Sequence, residues 1–140
     1  MYYLDSSAWV KRYVMEIGSG RVRALFLRSE QIASASLGYV ETVAALSRRL
    51  LEPDAAIVAS KVRADWQSMI RLHIVPAIAD KAAELARQYK LRGADAVHLA
   101  AALSLQNSLS GTNEPLILVA SDAELLEAAC QERLAVEDPR

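Results

Sequence analysis

The sequence has one cysteine, Cys130. A lone thiol builds neither a disulfide framework nor a cysteine-rich zinc site, and such scarcity fits a reducing compartment. Glycine and proline are scarce too, at 5 and 4 of 140 residues. With 53% hydrophobic residues, this composition excludes a disordered or linker-rich chain. No uninterrupted apolar run reaches the ~18 residues of a membrane span. Asp5, Lys11 and Arg12 already interrupt the first segment, and no charged stretch precedes an apolar one there. We therefore expect a soluble cytoplasmic protein. A chain of this length makes one domain and buries roughly 68–70% of its unfolded surface.

A net charge of −1 points to no partner by itself. Its distribution is uneven. Residues 1–92 carry 14 Lys/Arg against 9 Asp/Glu, whereas residues 93–140 carry 2 against 8. Such asymmetry fits either a surface facing a polyanion or surface helices that simply differ in charge.

Strand and helix patterns alternate along the chain. Residues 1–5 read as a short buried strand ending in Asp5, with Ser6 or Ser7 placed to cap the next segment. Trp9, Val10, Tyr13, Val14 and Ile17 recur at helical spacing until Gly18 and Gly20. A helix over 21–28, a weak strand over 31–35 and a strong helix over 37–51 come next. Asp54 opens an amphipathic helix through Ile70. Leu72–Val75 reads as a strand before Pro76, and Asp80 begins a helix to about Lys90. Residues 94–106 are apolar on most faces, as in a helix buried inside a domain. Residues 107–115 form a polar loop. Residues 116–120 are apolar throughout, as in a parallel strand covered on both faces. A helix over 121–131 and an edge strand over 134–136 finish the chain. The alternation predicts an α/β layered fold with a mainly parallel sheet.

In such a sheet, ligands bind beyond the carboxyl ends of the strands where the strand order reverses. Asp5 and Asp122 follow strands. Glu41 lies at the edge of an apolar helix face, and Asp95 opens the buried helix. Four acids aimed at one cleft repel each other unless a divalent cation is present, and hard oxygen ligands suit Mg²⁺ or Mn²⁺. Each acid also has a plainer reading. Asp95 could cap its helix. Ser121 and Glu124 form a capping box that puts Asp122 at the first helical position. Glu41 could turn outward beside Arg48. Asp5 has the weakest alternative, because a charge at the end of a buried strand needs a partner.

Four segments carry these acids: LDSSAWVKRYV at 4–14, YVETVAALSRR at 39–49, LRGADAVHLAAA at 91–102 and VASDAELLEAA at 119–129. Together they resemble the four acidic motifs of PIN-domain proteins, and in particular the VapC-type toxins of type II toxin–antitoxin pairs. The resemblance spans essentially the whole chain, as a single PIN domain over 1–140. It implies a three-layer fold with a five-stranded, mainly parallel sheet of order 3-2-1-4-5 flanked by helices. It also implies a Mg²⁺-dependent endoribonuclease (Mn²⁺ being an alternative ion), inhibited by a cognate VapB-like antitoxin, and a homodimer. The residues 107–115 make a longer loop than is common in the family, and Ser121 stands where threonine is frequent. A PIN-fold nuclease acting on other RNA or structured DNA is the main alternative. A receiver-like signalling domain expects paired acids after the first strand and a late lysine; Ser6 follows Asp5, and no lysine follows Lys90.

Under this reading Asp5 and Asp95 anchor the metal, and Asp122 and Glu41 complete its surroundings. Ser6 and Ser121 either hold the acids by hydrogen bonds or cap helices. Lys11, Arg12, Arg48 and Arg49 are candidates for phosphate contacts. The last two are equally placed as cations near a helix C-terminus. His98 shares a helix face with Asp95, and in so apolar a helix it reads as hydrogen-bonded core rather than as a ligand. Cys130 reads as packing.

Overall fold

The apolar start of the chain becomes β1 (Tyr2–Leu4), the middle strand of the sheet. This structure, a computed structural model, describes residues 1–28 and 30–140. β2 (Ile32–Ala35) pairs with one side of β1, and β3 (Ile70–Leu72) lies beyond it. β4 (Ile117–Val119) pairs with the other side, and β5 (Ala135–Glu137) lies beyond that. Every pairing is parallel and the order is β3-β2-β1-β4-β5, as the resemblance to PIN-domain proteins implies. The chain therefore reverses its direction of growth between β1 and β4.

Seven α-helices flank the sheet among the described residues. They are α1 (Ser6–Trp9), α2 (Ser19–Leu27), α3 (Ser36–Arg49), α4 (Asp54–Ser68), α5 (Pro76–Tyr89), α6 (Gly93–Ser108) and α7 (Ala123–Gln131). Among the described residues no helix is long and apolar enough to cross a membrane. Alternate residues of a strand point to opposite faces, and this divides the core in two. Tyr3, Ala33 and Leu118 pack with Leu85 of α5, Leu99 of α6 and Leu125 of α7. Leu4, Ile32 and Val119 pack with Trp9, Leu46, Val62 and Trp66. Tyr39 stacks flat on Trp66 at 5.6 Å between ring centres, which ties α3 to α4.

Four local expectations fail, three of them for identifiable reasons. The helix from Trp9 toward Ile17 stops early, passing into a 3-10 turn at Val10–Arg12. The Lys11 ammonium draws the chain back, donating to Glu16 Oε1 at 2.9 Å and to the Ile17 carbonyl at 3.0 Å. The third strand ends at Leu72 instead of Val75, because Val75 is the extended N-cap of α5. Pro76 occupies the first position of that helix, four residues before Asp80, where its missing N–H costs nothing. Cys130 is exposed rather than packed.

Gly38 explains how closely α3 approaches the sheet. A Cβ there would lie 2.6 Å from Ser34 Oγ and 3.0 Å from His98 Cε1. Ser34 is buried and anchored, its hydroxyl donating to the Leu4 carbonyl at 2.8 Å. Helix propensity alone favours alanine over glycine by up to about 1 kcal/mol. Overpacking costs roughly 1–3 kcal/mol, and here it prevails. Gly38→Ala should lower stability in urea denaturation; a gain would mean that α3 is free to shift.

Candidate active site

The carboxylates are placed by the ends of the strands and helices that the sequence builds. Asp5 leaves β1 and serves as the N-cap of α1 itself, in place of Ser6 or Ser7. Its Oδ2 accepts from the Ser7 amide at 3.1 Å and from the Ser7 hydroxyl. Ser7 Oγ accepts in turn from the Ser121 amide at 2.9 Å. That chain of bonds stitches the end of β1 to the end of β4 across the point where the strand order reverses.

Asp122 is the N-cap of α7, its Oδ1 accepting from the Leu125 amide at 3.0 Å. The expected Ser121–Glu124 capping box does not form, because the helix starts one residue later. The buried Ser121 hydroxyl has no hydrogen-bond partner among the described residues. Asp95 is not a cap either: α6 begins at Gly93, which places Asp95 in its first turn, turned toward Arg92. Arg92 Nε donates to Asp95 Oδ2 at 2.9 Å, and Arg92 Nη2 donates to Asp122 Oδ2 at 3.0 Å. One guanidinium thus bridges two of the four acids. Glu41 does not turn outward beside Arg48. Its Oε2 meets His98 Nε2 at 2.8 Å, and the same nitrogen lies 3.2 Å from Asp5 Oδ1.

Asp5, Glu41, Asp95 and Asp122 line one cavity of about 330 Å³, together with Ser6, Ser7, Arg92 and Ser121. Asp5 and Asp95 are buried, at 3% and 7% exposure, while Glu41 and Asp122 are partly open. The donor set fits a hard divalent cation: four carboxylates and an unpartnered hydroxyl around one small space. One oxygen of Asp5, one of Glu41 and His98 Nε2 all lie within 4.8 Å of one another.

The electrostatics follow from this crowding. Burial pushes the Asp95 carboxyl up. Arg92 opposes, the charges of Asp122 and Asp5 add, and the net effect is a raised pKa. Glu41 goes the other way. Burial would raise it, but the bond to His98 and that residue's charge, with help from Ser6 and Arg92, bring it below the usual carboxylate range. Burial lowers His98, yet its bond to Glu41 and the charges of Asp5 and Glu41 outweigh this and raise it.

The basic residues singled out in the sequence lie elsewhere. Lys11 is buried with its ammonium on Glu16 and the Ile17 carbonyl. Arg12 forms a two-pronged pair with Asp65, and its guanidinium carbon sits 3.8 Å from the Phe26 ring centre. Arg49 is exposed and donates to Glu16 Oε2 at 3.1 Å; Arg48 is exposed. None of the four lines the cavity. The residues that sequence reasoning passed over are Arg92, Ser7 and Tyr3. Arg92 stands three before Asp95, the spacing that puts two side chains together on a helix, so that signal was present. Ser7 had none that separated it from Ser6.

Comparison with known proteins bears on the family and the fold. A family profile for the PIN domain matches residues 2–130. The chain is 34% identical over 110 residues to ribonuclease VapC45 of Mycobacterium tuberculosis, covering 75% of this chain and 76% of that protein. In fold it is similar to a toxin–antitoxin complex from Klebsiella pneumoniae, with a TM-score of 0.72, 16% identity, and coverage of 100% of this chain and 98% of that one. It is similar also to VapC20 of Mycobacterium tuberculosis, described as a sarcin–ricin loop cleaving toxin, with a TM-score of 0.69, 17% identity, and coverage of 91% and 95%.

The raised Asp95 carboxyl has a consequence for stability. A folded-state pKa above the unfolded one means that the folded chain binds more protons in that window, so stability falls as pH rises through it. Above the window the cost is fully present. Opposing it, the start of α6 favours the charge by about 1 kcal/mol at most. The bond to Arg92 contributes little, since that side chain is 73% exposed. Asp95→Asn should therefore raise the melting temperature in EDTA at pH 7, with the gain shrinking as pH falls toward 4. Melting curves across that range check it; a loss at pH 7 would mean that the carboxylate supports the fold.

Proposed function

Given that the chain belongs to the PIN-domain family, we propose that it is a divalent-cation-dependent endoribonuclease and the toxin of a toxin–antitoxin pair. The observation that carries the proposal is the convergence of Asp5, Glu41, Asp95 and Asp122 on one cavity where the strand order reverses. The names of the matching proteins, a ribonuclease and members of toxin–antitoxin complexes, support the substrate class and the antitoxin partner. A homodimer belongs to the same reading.

In this mechanism Asp5 and Asp95 would hold Mg²⁺, or Mn²⁺ in its place, and Asp122 and Glu41 would complete its surroundings. When bound, the ion would lower the pKa of water and offset charge on the phosphorus. Glu41 orients the attacking water and accepts its proton: it lines the cavity, spends Oε2 on His98, and is held ionised by its surroundings. Water adds to phosphorus, the bond to the 3′ oxygen breaks, and that oxygen takes up a proton. The products are a 5′-phosphate and a 3′-hydroxyl, with no 2′,3′-cyclic intermediate. Arg92 is mostly exposed at the rim. It is free to leave Asp95 and Asp122 for a phosphate once the acids are otherwise neutralised.

The test is cleavage of total cellular RNA by the purified chain, followed by sequencing of the new ends. Cleavage should require Mg²⁺ or Mn²⁺, stop in EDTA and leave 5′-phosphates. Glu41→Gln should slow it by about 10²–10⁴-fold, the usual contribution of a general base. Cleavage that persists in EDTA, or that yields cyclic phosphates, would overturn the proposal. Neutralisation of toxicity by the product of a small adjacent gene would separate a toxin from a PIN-fold nuclease with another role.

A further inference from the structure

His98 is fully buried in a helix that is otherwise almost entirely apolar, yet it touches three other parts of the fold. Its Nδ1 meets the Tyr3 hydroxyl of β1 at 3.0 Å. Its Nε2 faces Glu41 Oε2 of α3 at 2.8 Å and Asp5 Oδ1 at 3.2 Å. The absent side chain of Gly38 leaves room for the ring, since a Cβ would stand 3.0 Å from His98 Cε1. Tyr3 packs edge-on against the imidazole at 5.9 Å and 75°. Contacts from Tyr3 of β1, from Asp5 and from Glu41 of α3 therefore hold the ring.

Counting donors assigns the protons. Ionised carboxylates only accept, so the nitrogen shared by Glu41 and Asp5 is a donor. A phenol keeps its proton at neutral pH, and burial holds that of Tyr3 more firmly still. In a neutral ring Tyr3 donates to Nδ1; in a charged ring Nδ1–H donates to the Tyr3 oxygen. Both arrangements leave hydrogen on Nε2. The nitrogen meets the two carboxylates themselves, at 2.8 and 3.2 Å, and His98 does not line the cavity on which the acids converge.

We propose that His98 is a positioning residue: its Nε2–H, steadied by Tyr3, clamps Asp5 and Glu41 at the separation the cation needs, and does not itself ligate. The inference rests on the metal-dependent reading above and adds to it a part for two buried residues outside the acidic set. It also accounts for a glycine in the first turn of α3, where helix propensity would choose otherwise.

The probe is Mn²⁺ alone, added to the full chain. The unaltered protein should bind it without the electron spin echo modulation of a directly coordinated nitrogen. His98→Leu should weaken Mn²⁺ binding by about 10–100-fold in titration calorimetry, the usual effect of losing a group that orients metal ligands. His98→Gln, which restores an N–H donor, should recover most of that affinity. Tyr3→Phe, which removes one oxygen and little shape, should weaken binding less than His98→Leu. A coordinated-nitrogen signal in the unaltered protein would overturn the proposal. So would unchanged affinity in His98→Leu, or equal losses in the Leu and Gln variants. Should His98→Leu fail to fold, the spectrum of the unaltered protein still decides. Absence of Mn²⁺ binding by the unaltered chain would overturn the metal reading itself, and the clamp with it.

Discussion

Like charges brought together in a half-buried space repel, and four carboxylates meet at the ends of β1 and β4. Two unit charges 4 Å apart near a protein surface interact by about 4 kcal/mol, a sizeable part of a domain's total stability. The fold tolerates the cluster because cations and donors are built in around it. Arg92 bridges Asp95 and Asp122 from the rim, and His98 bridges Glu41 and Asp5 from within. Each acid thus has a partner, but the two kinds of partner differ. The guanidinium is exposed and replaceable; the imidazole is buried and fixed.

That difference organises the rest of the structure around the site. The inner face of the cavity is rigid: Ser34 bonds to Leu4, Gly38 rides over Ser34 and His98, and Tyr3 holds the ring from β1. Ser7 joins Asp5 to the Ser121 amide, so the two central strands end in register with each other. The outer face is open to solvent through Arg92, Glu41 and Asp122. A half-buried set of acids under an exposed cation suits a reaction whose substrate brings its own negative charge. Phosphate-facing cations, by contrast, are few at the cavity. Lys11 and Arg12 have structural work, tying the turn after α1 to Glu16 and to Asp65 of α4.

Much of this was legible in the sequence because it depends on period and chain order. The continuous apolar residues of β1 and β4, the helical stripes between them and the position of acids just after strands are all local patterns. They yielded a mainly parallel α/β sheet and four candidate acids that share one cavity, while the strand order came from the resemblance of the four motifs to PIN-domain proteins. What escaped depends on neighbours far apart in the chain. His98 looked like core, and it is core; that it reaches Glu41 and Asp5 follows only from α3 crossing α6 at Gly38. Asp5 and Asp122 cap their own helices, so the Ser7 hydroxyl is released to join Asp5 to the Ser121 amide, and the Ser121 hydroxyl is left without a partner among the described residues. Lys11 looked like a surface cation, but its ammonium is captured by Glu16 five residues on, which also ends the first helix early.

The central claim is that the cluster is built to hold a divalent cation. Thermal unfolding against Mn²⁺ concentration tests this directly, since a ligand held by the folded state alone adds about 2.7 kcal/mol at 100 times its Kd. The account predicts a melting temperature that rises with Mn²⁺ in the unaltered chain and stays flat in Asp5→Asn. A melting temperature indifferent to Mn²⁺, or one that rises equally in both proteins, would contradict it.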